Sequence, residues 1–269
     1  PATSTTAKNL LPIINQKKVL TIAPTPTSTE LAGLDDYMIR LRPTNKEDAT
    51  TLAKYVTEKF KIKKLAIIYD VINPLYTKDF INNFKSHFSK EVSFLIYPFD
   101  EENISIKNLA KQVLSQSPDS VLIITEVYNA SLLIQNFRIL NPNILLLISP
   151  WAKSPKLIEQ GGERAEGVLT VDTFDEEYKG EFYEKFKNKF LERLGHNPNF
   201  ASCNGFESVM LIKKAIEKGA VRETMKETLL RIGKFEGLQG EIIINKFGDR
   251  EIKPFIFKVE NGKFRRVKQ

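Results

Sequence analysis

The chain has 269 residues, of which 42% are hydrophobic, enough to bury a sizeable core in one or two domains. Its 40 basic residues outnumber 33 acidic ones, giving a formal charge of +7. The two signs are mixed along the chain instead of gathered on one stripe, which argues against nucleic-acid binding. The single cysteine, Cys203, excludes an internal disulfide and a multi-cysteine zinc site. The two histidines, His87 and His196, sit in unrelated contexts, so a zinc or triad enzyme is not indicated. No apolar run approaches the ~18 residues needed to span a bilayer.

Strand and helix signals alternate from the start. Ser4–Asn15 has helical spacing through Leu10, Leu11 and Ile14, and Val19–Ile22 reads as a strand. Met38–Leu41 is a second short strand, followed by a helix over Asp48–Phe60. Leu65–Tyr69 is a continuous apolar run of the kind buried on both faces of a parallel sheet. The rhythm continues with a helix over Leu75–Phe88, a strand at Val92–Tyr97, a helix over Ile106–Ser115 and a buried strand at Ser120–Ile124. Ala130–Ile139, Ile144–Ser149, Pro155–Glu159 and Val168–Val171 extend it. This is the pattern of an α/β fold with mostly parallel sheets flanked by helices.

After Val171 the pattern changes. Glu177–Leu194 reads as a charged helix carrying Phe182, Phe186, Phe190 and Leu194 four residues apart, a stripe expected to pack against a neighbour. Helices over Phe200–Lys218 and Glu223–Ile232 follow. From Gly240 to Phe264, short apolar strands alternate with Gly-Asp and Asn-Gly turns, which predicts a small antiparallel closing ribbon.

No strand is followed by a Gly-x-Gly-x-x-Gly or Gly-x-x-x-x-Gly-Lys turn, and there is no Gly-x-Ser-x-Gly elbow, so a nucleotide or hydrolase enzyme and its cofactors are not expected. Open α/β sheets hold ligands at the carboxyl ends of their strands. Two hydroxyl-rich turns stand at such places. Thr3-Ser4-Thr5-Thr6 opens a helix, where hydroxyls and free amides suit a carboxylate; simple N-capping by Thr3 or Ser4 is the competing role. Pro24-Thr-Pro-Thr-Ser-Thr-Glu follows the strand Val19–Ile22.

The closing ribbon, these two turns and the segment Gly161-Gly-Glu-Arg-Ala-Glu-Gly167 together resemble the type I periplasmic binding proteins, the two-lobed receptors that serve branched-chain amino acid transporters and related importers. The resemblance spans nearly the whole chain. It implies an extracytoplasmic solute-binding protein, periplasmic or at the cell surface, that captures an amino acid or other small carboxylate between two lobes and delivers it to an ABC transporter permease. It implies three crossings between lobes, near Asn45, Thr173 and Gly240: 1–45 with 174–239 in the first lobe, and 46–173 with 240–269 in the second. The first lobe would be truncated, since the chain opens where the family's third strand ends, and sheet edges left open there suit a partner such as a second copy. The second reading is therefore a shortened homologue acting as an interaction or sensory module that dimerises through its first lobe.

Carried onto this sequence, the resemblance places Thr3, Ser4, Thr25 and Thr27 in a cradle for the ligand carboxylate. On the opposite wall it places Tyr76, which would otherwise be a helix-start packing residue, and Tyr128, for whose place Glu126 competes. Trp151 stands where the branched-chain amino acid binders carry an acid for the ligand ammonium; a Trp supplies stacking or a cation–π contact instead. Glu207, in Phe206-Glu-Ser, and Glu126 are the remaining acids that could face an ammonium, with an ordinary helix-face charge as the alternative for Glu207. The ligand class stays open between an amino acid and an aromatic or aliphatic carboxylate.

Overall fold

The computed structural model describes residues 1–268. Helix α1 (Ser4–Lys17) begins at a reciprocal capping box between Thr3 and Thr6 and stops where Lys18 turns left-handed at φ 50°. The N–H of Val19 still bonds to the α1 carbonyl of Ile14, so strand β1 (Thr21–Ala23) starts two residues later than the apolar run. Then come β2 (Met38–Arg40), α2 (Asn45–Lys59), β3 (Lys64–Asp70), α3 (Pro74–Lys85), β4 (Ser93–Phe99), α4 (Ile106–Ser115) and β5 (Ser120–Ile124). Next are α5 (Val127–Leu140), β6 (Leu145–Ile148), a turn of 3-10 helix at Pro150–Ala152, α6 (Pro155–Gly161) and β7 (Leu169–Asp172). Helix α7 (Glu181–Leu194) starts later than expected, because Tyr178 closes a turn onto the carbonyl of Asp175 before Gly180. Helices α8 (Phe200–Glu217) and α9 (Met225–Ile232) and strands β8 (Lys234–Gly237), β9 (Gly240–Ile244), β10 (Arg250–Glu251), β11 (Phe255–Val259) and β12 (Phe264–Arg266) complete the chain.

These elements form two compact units. The first comprises Pro1–Asn45 and Thr173–Lys253, and the second Lys46–Asp172 and the stretch from Pro254 onward. The chain thus passes between them after Asn45 and after Asp172. The third passage is a correction: it falls after Lys253, not at Gly240. The residues from Gly240 to Glu251 stay in the first unit because β9 pairs with β8 and buries Ile242 and Ile244 in one cluster with Leu211 and Leu229. The expected single closing ribbon is accordingly two separate antiparallel pairs, β9–β10 in the first unit and β11–β12 in the second.

In the second unit, seven strands run in the order β12-β11-β7-β6-β5-β3-β4. Strands β3 to β7 are parallel, and β11 and β12 form an antiparallel extension beside β7. The apolar runs are divided by the period of two: Ala66, Ile68, Val121, Ile123, Leu146 and Ile148 face one core, while Leu65, Ile67, Leu122, Ile124 and Leu147 face the other. Both faces are dry, which is why these strands lack polar alternation.

In the first unit, β1 and β2 make a two-stranded parallel sheet with Ile22 opposite Ile39, while β8, β9 and β10 make a three-stranded antiparallel one. Helix α1 covers one side of β1–β2 through Ala7 and Ile14 against Ala23 and Met38. Helices α8 and α9 supply Leu211, Ala215 and Leu229 to a second cluster with Ile39 and Leu41. Arg40 is buried and pairs with both Asp36, at 2.9 Å, and Asp249. The aromatic stripe of α7 packs in part: Phe182 and Phe186 lie half-buried against the cluster of Phe174, Tyr183, Cys203 and Leu238, and Leu194 is 57% exposed.

Candidate functional site

In the first unit the two hydroxyl turns meet. The Ser4 hydroxyl oxygen accepts the backbone N–H groups of Thr27, at 3.2 Å, and Ser28, at 3.1 Å. Those bonds engage both lone pairs, so the Ser4 O–H remains a donor, buried at the start of α1 where the helix dipole is positive. The neighbouring hydroxyls are used inside the protein. Thr27 donates to Asn45 Oδ1 at 2.8 Å, and Thr25 donates to the carbonyl of Ala2 at 2.8 Å. Thr3 forms the capping box with Thr6. The structure therefore gathers Thr3, Ser4, Thr25 and Thr27 in one place, with Ser4 holding the outstanding O–H.

Glu207 lies in the same unit on α8 but is buried and fully engaged. Its Oε1 accepts the N–H of Leu238 at 2.9 Å, and its Oε2 pairs with Arg250 at 3.1 Å. Its position is that of a strut between α8, the β8–β9 turn and β10, rather than of an open helix-face charge.

In the second unit, Tyr76 and Trp151 come together although they are far apart in sequence. Tyr76 sits in the first turn of α3, after β3, and Trp151 in the 3-10 turn after β6, both at carboxyl ends of parallel strands. Their ring centroids are 5.5 Å apart at an interplanar angle of 78°, an edge-to-face contact. Tyr76 leans in turn on Phe80, 6.1 Å away. Trp151 is half-buried and keeps part of its surface open, while Tyr76 is buried. Tyr128 stands in the first turn of α5 and is 55% exposed. Glu126 caps α5, accepting the N–H groups of Tyr128 at 2.7 Å and Asn129 at 2.5 Å.

The same end of the sheet collects carboxylates. Asp70 is buried, and its pKa is raised above the ordinary aspartate value, first by burial and further by the charges of Glu101, Glu126 and Asp100. Sequence reasoning passed over Lys153, two residues after Trp151. This lysine is fully buried, 3.5 Å from Asp172 and over the ring of Phe257 at 4.5 Å. A lysine in a polar stretch reads as surface, and its acid and aromatic partners lie in distant segments. Asn45 and Arg250 were missed for the same reason. Among the described residues there is no cluster of three His, Cys, Asp or Glu side chains that could hold a metal ion.

A further concavity of about 650 Å³ runs along α7, lined by Phe182, Phe186, Phe190 and Phe206 and flanked by Lys185 and Lys189.

Residues 1–263 match the family described as periplasmic binding protein. The chain belongs to the periplasmic binding protein family. The fold of this periplasmic binding protein matches that of a leucine-binding protein from Thermotoga maritima, with a TM-score of 0.87 at 22% identity, over 100% of this chain and 77% of the other. It likewise matches a branched-chain amino acid transporter substrate-binding protein from Streptococcus pneumoniae, solved with isoleucine: TM-score 0.86, 17% identity, 100% of this chain and 78% of the other. A solute-binding protein from R. palustris, solved with benzoate, matches with a TM-score of 0.86 at 14% identity, over 98% of this chain and 74% of that one. No curated protein matches the chain. These comparisons establish the type I fold and a chain shorter than its structural neighbours. Members of the family are non-enzymatic, extracytoplasmic solute-binding proteins, and among the described residues no helix is long and apolar enough to cross a membrane.

Proposed function

We propose that this periplasmic binding protein captures a small carboxylate, an amino acid or another organic acid, outside the cytoplasm and delivers it to the permease of an ABC transporter. The Ser4 hydroxyl carries the reading. A buried O–H whose oxygen already accepts two amides needs an acceptor, and a carboxylate placed at a helix start supplies one with favourable charge. Relatives solved with isoleucine and with benzoate support a small-carboxylate ligand.

A thermal-shift panel of amino acids and organic acids tests it. A true ligand at a hundredfold excess over its Kd stabilises the fold by about 2.7 kcal/mol, and Ser4→Ala should remove most of that shift while leaving the unliganded protein folded. A panel without any stabilising compound sinks the proposal. A second reading, an interaction module that forms a homodimer, draws on the half-open aromatic groove along α7. A monomeric mass at micromolar concentration, unchanged by Phe186→Glu, would remove it.

A further inference from the structure

The first unit carries an apolar face that its own chain leaves half open. On α7, Phe182, Phe186, Phe190 and Leu194 follow one another every four residues and so share one side of the helix. Phe206 of α8 joins them. Its ring lies 4.7 Å from that of Phe186 and 6.4 Å from that of Phe182, and Phe186 reaches Phe190 at 5.6 Å. Rings in mutual contact thus wall the groove of about 650 Å³, with exposed Leu194 completing its lining. On α8 the apolar row continues past Phe206 through Val209, Ile212 and Ile216, all exposed. A soluble monomer rarely leaves so long an apolar row in water unless something covers it.

The charges beside the groove have one sign. Lys185, Lys189 and Arg193 line it, again four residues apart, and no acid does among the described residues. Lys185 is paired with Glu181 at 2.6 Å, whereas neither Lys189 nor Arg193 has an ion-pair partner among the described residues. We infer that this groove docks an acidic amphipathic helix of a partner protein.

The shape and the charge select that occupant. The walls are helix side chains, so they present no open row of N–H and C=O groups to which a strand could add. An occupant must bring its backbone already satisfied, as a helix does, with anchors at intervals of three and four residues. From Phe182 to Leu194 the stripe runs about 18 Å, the length of three to four helical turns. Glutamates or aspartates flanking the anchors would answer Lys189 and Arg193. An anionic membrane is matched less well, because a broad surface also meets Glu181, Glu184 and Glu192 of the same helix. A second copy docked groove to groove would set Lys189 and Arg193 against their own equivalents.

The probe is a stapled helical peptide with leucines at steps of three and four residues and glutamates on both flanks, compared with the same peptide carrying lysines in their place. In fluorescence anisotropy with the whole chain, the acidic peptide should bind saturably and at least tenfold tighter than the basic one. The double variant Lys189→Glu with Arg193→Glu changes exposed side chains only and should reverse that preference. Leu194→Glu, also at an exposed position, should weaken the acidic peptide at least tenfold, with circular dichroism confirming that both variants fold. No saturable binding of the acidic peptide, equal binding of the two peptides, or an affinity untouched by Leu194→Glu overturns the inference. So does a dimer in sedimentation that Leu194→Glu dissolves, or co-sedimentation with phosphatidylglycerol vesicles that the double variant abolishes.

Discussion

Glu207 and Arg250 form a buried ion pair at 3.1 Å that joins α8 to β10, and the same carboxylate also receives the N–H of Leu238 from the β8–β9 turn. Burial lowers the Arg250 pKa and its Glu207 partner opposes that, so the two charges stand or fall together. Glu207→Gln leaves a guanidinium buried without its counter-charge and should cost about 3–5 kcal/mol. The double variant Glu207→Leu with Arg250→Met should be less destabilised than Glu207→Gln, although the Leu238 amide then lacks an acceptor, worth about 1–3 kcal/mol. Urea melts of the parent, Glu207→Leu, Arg250→Met and the double variant form the cycle, and additive losses would show that the pair is not coupled.

The same corner is packed to its limit around Gly237. A Cβ there would lie 2.6 Å from the carbonyl oxygen of Gly240, 2.7 Å from Ile242 Cγ1 and 2.9 Å from Glu207 Oε1. Gly237→Ala must therefore shift the β8–β9 turn or dislodge the carboxylate, at about 1–3 kcal/mol. Gly205 provides the internal contrast, since it lies within α8 and a Cβ added there would meet nothing within 4 Å. Gly205→Ala should gain about 0.5–1 kcal/mol in thermal or urea melts. Equal effects at both positions would contradict the packing described for the turn.

Asp70 gives a pH dependence whose sign follows from its surroundings. Its folded-state pKa is raised, mainly by burial, so between the unfolded and folded values the folded protein binds more protons. Stability contributed at this site is thus greatest at low pH and is lost as pH rises through the folded pKa. Asp70→Asn keeps an acceptor for the Ile72 amide and removes the buried charge. It should raise stability at pH 7, and its advantage over the parent should shrink as pH falls toward about 4. An advantage that grows on acidification would show that Asp70 is stabilised as the anion.

The second unit was legible in the sequence because its strands are buried on both faces and each is set off by a helix; Leu65–Tyr69 and Ser120–Ile124 could be little else. The first unit was read less well, since β8, β9 and β10 owe their sheet to Ile242 and Ile244 packing on helices from elsewhere in the chain. Turns rich in hydroxyls announced Ser4 and Thr27, but not that Ser4 would keep the outstanding O–H while Thr27 spends its own on Asn45. Glu207 was visible as an acid on a helix, and its commitment to Arg250, 43 residues away, was not. Local spacing shows which face a side chain takes; only the tertiary fold decides which groups are already satisfied.

Cys203 can report on that fold directly. It is buried on α8 beside Phe174, Tyr183 and Leu238, and its thiol pKa is pushed up, first by burial and then by the Glu207 charge. The thiolate is the reactive form, so native Cys203 should react with a disulfide reagent at least ~100-fold more slowly than a free cysteine in mildly alkaline buffer. In denaturing urea the full single equivalent should appear at once, because the chain carries no other cysteine. At intermediate urea the labelling rate should follow the unfolded fraction, and Glu207→Gln should move the midpoint to lower urea by the same amount that it lowers stability in optical melts. Fast labelling of the native protein, unaffected by that variant, would mean that the α8 corner opens without global unfolding, and that the Glu207–Arg250 pair does not hold it closed.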